Sequence, residues 1–157
     1  MVLPRLGGIP AVWNTCMVFF QAALLAGYAY AHGTGRFARQ PVLHVFVLLA
    51  PFAVLPIALP ASWEPPATES PIGPLLALLL VRVGLPFFVL ATSGPLIQRW
   101  AARAGEKDPY WLYAASNVGS MVGLLGYPLL LEPNLSLAAQ STLWSWGYAA
   151  LAVLGVA

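Results

Sequence analysis

Asp108-Pro-Tyr-Trp-Leu-Tyr-Ala-Ala-Ser-Asn-Val-Gly-Ser-Met-Val-Gly-Leu-Leu-Gly-Tyr-Pro-Leu-Leu-Leu-Glu-Pro133 reads as one membrane-crossing helix with a marked start and a marked stop. Asp108 is suited to cap the first turn by accepting backbone N–H groups, and Pro109 to the first helical position, where a missing N–H costs nothing. From Tyr110 to Leu131 there are 22 positions without a charge. About 20 apolar residues are needed to cross roughly 30 Å of hydrocarbon. Glu132 and Pro133 end the run. Ala115, Gly119 and Gly123 recur every four residues, a small face of the kind that lets a second helix approach closely. Asn117 falls mid-span, where an unpaired amide is costly.

The rest of the chain supports the same class. Of 157 residues, 60% are hydrophobic and 8% are charged. Soluble domains carry about 25% charged residues, so a soluble fold would lack polar surface to cover its core. The net charge is +2, and the basic residues do not gather into a face that could follow a phosphate backbone, which argues against nucleic acid as a partner. The single cysteine, Cys16, permits no intrachain disulfide and no metal-type cysteine spacing. No metal site, cofactor or catalytic residue is indicated.

Working outward, a first span is expected over 11–31. Arg5 ahead of it and Ala29-Tyr30-Ala31 at its end suggest a cleavable leader. The run is long for one, contains Trp13, Asn14 and Gln21, and is followed by further spans, so it reads as retained. Asn14 and Gln21 lie seven residues apart, on one helical face, either as interhelical hydrogen-bonding groups or as a polar lining. Tyr28 and Tyr30 fit an interfacial aromatic belt. A second span, 42–59, should bend at Pro51 and Pro56, with His44 at the interface near its start. The connector Pro60–Pro71 holds four prolines, Glu64 and Glu69. A third span, 72–97, carries Arg82, which must snorkel toward Glu64 and Glu69, pair, or contact a substrate. Thr92 and Ser93 can serve carbonyls freed by Pro86 and Pro95. Its helix should continue beyond the membrane through 98–104. A fourth span is 109–131 and a fifth 137–157. The expected fold is all-α, a polytopic transmembrane bundle of about five spans in a single domain.

Arg36, Arg39, Arg99, Arg103 and Lys107 fall in the loops after spans one and three, whereas the other loops hold Glu64, Glu69 and Glu132. The positive-inside rule then makes loops 32–41 and 98–108 cytoplasmic and puts the N-terminus outside. A chain that starts outside and stops within an apolar helix reads as one lacking a span before Met1 and more after Ala157.

Three motifs add a resemblance: Leu6-Gly-Gly-Ile-Pro-Ala-Val-Trp-Asn-Thr-Cys16, Gly84-Leu-Pro-Phe-Phe-Val-Leu-Ala-Thr-Ser-Gly-Pro-Leu-Ile-Gln-Arg-Trp100 and Asp108-Pro-Tyr-Trp-Leu-Tyr-Ala-Ala-Ser-Asn-Val-Gly-Ser120. They resemble the membrane region of bacterial fused proteins that join a major-facilitator-like part to a spermidine-synthase-like domain. The resemblance implies spans two to six of a transporter-like half in a bacterial inner membrane, ahead of a cytoplasmic polyamine-synthase-like domain. The expected function is small-molecule transport or tethering of that domain. A purely structural anchor, or a stand-alone small membrane protein, is the alternative. The implied partners are the bilayer, the remaining spans and synthase-like domain of the same protein, or further copies of the chain. Major-facilitator transporters often carry Gly…Asp-Arg-x-Gly-Arg after their second span. Gly35-Arg36 stands where its end would fall, but Ala31 and His32 replace the acidic residue, which counts against substrate-driven transport. Aminopropyl transfer would need a glycine-rich strand–turn–helix unit and clustered carboxylates, and neither is present.

Overall fold

The computed structural model describes residues 9–58, 70–108 and 110–156. Arg5, the Leu6-Gly7-Gly8 part of the first motif, Leu59, the connector from Pro60 to Glu69 with Glu64, Pro109 and Ala157 lie outside them. All regular structure among the described residues is helical.

Helix α1, Pro10–Thr34, starts with Pro10 in the first turn, where proline is pre-set for helix. Helix α2, Gln40–Leu49, tightens into a 3-10 turn over Ala50–Ala53. Helix α3 runs Ile72–Arg103 without interruption, with a π-helical turn at Leu80–Gly84. Helix α4, Tyr110–Asn134, has a second such turn at Tyr127–Leu131. Helix α5 is Leu137–Val156. By length and composition α1, α3 and α4 are able to cross a membrane, at 25, 32 and 25 residues.

The second expected span is shorter than its apolar run. Its α-helix gives way to the 3-10 turn after Leu49, where Pro51 has no N–H to continue the ladder, and the helical segment ends at Ala53. Leu55-Pro56 is a cis peptide. The third is longer: at 1.5 Å per residue α3 extends about 48 Å, well past the hydrocarbon thickness. Gly105 closes it at a φ of 92° that suits glycine, with the Glu106 N–H reaching back to the Ala101 carbonyl at 3.0 Å. Both π-helical turns sit at prolines. Pro86 leaves the Arg82 carbonyl without its usual donor, and Pro128 lies inside the second turn.

Helices α1 and α3 pack side by side in parallel. Near their N-terminal ends Val12 and Phe19 bury against Leu75 and Leu79. Further along they approach closely: a methyl group on Gly27 would stand 2.7 Å from the Ala91 Cβ. A second cluster joins α2, α3 and α5 through Leu48, Val89, Tyr148 and Ala152. There the Tyr148 hydroxyl donates to the Leu48 carbonyl at 2.7 Å, and Ser141 Oγ donates to the Ile57 carbonyl. Helix α4 has no buried residue.

Candidate functional site

At the end of the bundle where α1 and α3 stop and α2 begins, three helix termini meet in a polar cluster. The last carbonyls of α1 have no intrahelical donors, and the helix dipole makes that end negative. Arg99 of α3 donates from Nη1 to the Ala31 carbonyl at 2.8 Å, and Arg103 donates from Nη2 to the Gly35 carbonyl. Gly35 makes this possible: a Cβ there would occupy the space of the Arg99 guanidinium. Gln40, fully buried, donates from Nε2 to Thr34 Oγ1 at 2.8 Å and to the Ala31 carbonyl at 3.4 Å. The Trp100 indole N–H donates to Gln40 Oε1 at 3.3 Å.

His44 continues the cluster inward. It is 5% exposed, with Tyr30 and Trp100 ring centroids 5.9 and 5.7 Å away. Phe88 closes the far side of Tyr30 at 5.7 Å. His44 Nδ1 and Tyr30 Oη are buried without a hydrogen-bond partner among the described residues. The side chains expected at an interface, His44 and Tyr30, are thus packed against other helices at this end of the bundle. Both turn into the bundle because α1 and α2 are joined by only a short turn, which sets the end of one beside the start of the other. Tyr28 is exposed, at 51%.

The residues singled out from sequence lie elsewhere. Asn14 and Gln21 are on the exposed side of α1, and Asn117 is exposed on α4. Arg82 is half-buried in the π-helical turn of α3, about 15 Å along a helix that starts at Ile72. No hydrogen bond joins any two of these four among the described residues. Ala115, Gly119 and Gly123 are exposed, and methyl groups on the two glycines would meet nothing within 4 Å. Thr92 and Ser93 hydroxyls both donate to the Val89 carbonyl, at 2.6 and 3.2 Å. The carbonyl freed by Pro95 is that of Ala91, so the expected relief is not the one found. Asp108 does accept from the Tyr110 N–H at 3.1 Å.

Sequence reasoning missed Gln40, Arg99, Trp100 and Arg103 as a group. Their acceptors are mostly backbone carbonyls 68 residues away for both arginines, and a carbonyl has no signature in the sequence. The usable signal was Gly33-Thr34-Gly35, two residues without side chains at a helix end, which leave room for a side chain from another helix.

Chemically the cluster is a clamp. Its cations satisfy helix-end carbonyls and are not aimed at an open cavity. No group of three His, Cys, Asp or Glu that could hold a metal occurs among the described residues. Comparison with protein-family models, with curated proteins and with solved structures gave no match.

Proposed function

We propose that the chain is an integral membrane module of transporter-like type, built on the α1–α3 pair. The observation that supports this most is Arg82, a half-buried cation in a π-helical turn of a long apolar helix. Ionisable groups in spans are expensive and mark functional positions, and π-helical turns often accompany them. On this reading the module sits in a bacterial inner membrane with its arginine-bearing end in the cytoplasm, beside a spermidine-synthase-like domain of the same protein or a partner. A guanidinium repels a polyamine. A solute that touched Arg82 would carry a carboxylate or phosphate, so the link to polyamines would run through tethering of the synthase-like domain and not through the cargo.

A second reading, a structural anchor, is favoured by the exposed positions of Asn14, Gln21 and Asn117, which form no common lining.

Reconstituted vesicles separate the two, with labelled spermidine, succinate and inorganic phosphate as probes. The transporter reading expects flux of an anionic probe above protein-free vesicles, abolished in Arg82→Ala while assembly is kept. Absence of flux for all three probes, with Arg82→Ala degraded or misassembled, would leave the anchor.

A further inference from the structure

We infer that the turn between α1 and α2 holds the headgroup of an anionic phospholipid between Arg36 and Arg39. The four arginines at this end divide into two pairs. Arg99 and Arg103 are spent on the carbonyls of Ala31 and Gly35. Arg36 and Arg39 are exposed and have neither a hydrogen bond nor an ion pair among the described residues. Together they line an open cavity of about 460 Å³ with Phe37, Ala38 and Leu43. Phe37 and Leu43 are 49% and 43% exposed, and the Arg36 guanidinium carbon stands 5.4 Å from the centre of the Phe37 ring.

Two guanidinium groups over an apolar floor match one kind of molecule. Guanidinium pairs well with phosphate, by parallel N–H···O bonds. The floor suits the first carbons of an acyl chain, whereas a free phosphate gains nothing from Phe37 and Leu43. The cavity also sits at the end of a 25-residue apolar helix, the level at which headgroups lie if α1 spans a bilayer. The proposal rests on that membrane reading.

The test uses the full chain, first checked for insertion into vesicles by flotation. Native mass spectrometry of the detergent-solubilised protein then compares retention of phosphatidylglycerol and phosphatidylcholine, with glycerol 3-phosphate as a soluble competitor. Phosphatidylglycerol is expected to be retained preferentially. Arg36→Gln with Arg39→Gln should lower that retention about twenty-five-fold, at about fivefold per basic residue near an anionic headgroup. Insertion should be unchanged. Arg36→Lys with Arg39→Lys, which keeps both charges, should keep most of the preference. Loss as complete as in the glutamine pair, accompanied by loss of insertion, would indicate a folding role and overturn the site, whereas loss with insertion kept would place the recognition in the paired guanidinium N–H groups. Equal retention of the two lipids, unchanged retention in the glutamine pair, or displacement by millimolar glycerol 3-phosphate would also overturn it, the last pointing to a soluble phosphate. A chain that fails to insert overturns the membrane reading and the site with it. An inserted chain without lipid preference overturns the site alone.

Discussion

Helices α3 and α4 share their design on paper and differ in what surrounds them. Each is long, apolar, and carries a π-helical turn at a proline. Yet 39% of the apolar window of α3 is buried and none of that of α4 is. The contrast shows that apolar length by itself does not choose a helix's neighbours. In lipid there is no hydrophobic force between helices, so association depends on close approach and on polar bonds. Helix α3 has both: Ala91 against Gly27, and the bonds of Arg99, Trp100 and Arg103 to the α1–α2 turn. Helix α4 has a small face whose Gly119 and Gly123 have nothing within 4 Å of an added methyl among the described residues.

Four substitutions sharpen or break that contrast. The largest effect is expected for Gly27→Leu. Even a Cβ there would lie 2.7 Å from the Ala91 Cβ and 3.1 Å from its backbone. Overpacking of this kind costs about 3 kcal/mol or more. Cysteine cross-linking between α1 and α3 should fall sharply, and undiminished cross-linking would mean that the pair is not held by this approach. Arg99→Ala comes next. It strips the Ala31 carbonyl of a charged donor, a loss of about 2 kcal/mol. The midpoint of denaturant unfolding in micelles should drop accordingly, and a drop no larger than that of Arg36→Ala would show that the two pairs of arginines are equivalent after all. Tyr148→Phe should cost about 1 kcal/mol by orphaning a hydrogen-bonded Leu48 carbonyl, read as weaker protection of the α2–α5 contact from hydrogen exchange. Smallest is Gly119→Leu, within about 0.5 kcal/mol for the chain by itself because its side chain enters open space. A large loss of stability there would put a neighbour against α4.

What could be read from sequence divides along the same line. The all-α class, the start of α4 at the Asp108 cap and the helical continuation of α3 through Arg103 followed from local rules about charge-free length, caps and charged helix ends. The end of α2 at Leu49 depended on which of two prolines broke the helix, and Pro51 did so by tightening it into a 3-10 turn before Pro56 was reached. The clamp was not legible, because Arg99 reads equally well as a solvated loop cation. Only folding brings the Ala31 carbonyl beneath it. Arg82 and Asn117 were legible as costly residues, but whether they meet was not, since that depends on how α3 and α4 are rotated.

The π-helical turn at Leu80–Gly84 bears on how this chain could tolerate a deletion. A π-helical turn holds one residue more than an α-helical turn between the same two ends. Removing a single residue from 80–84 would let the segment relax to ordinary helix with both flanks still facing as they do now. Removing one between Leu85 and Gln98 would instead rotate everything downstream by about 100°. Arg99, Trp100 and Arg103 would swing off the carbonyls and the amide that they now hold. The widened turn is thus the place in α3 where the gene could lose a codon without disconnecting one end of the helix from the other.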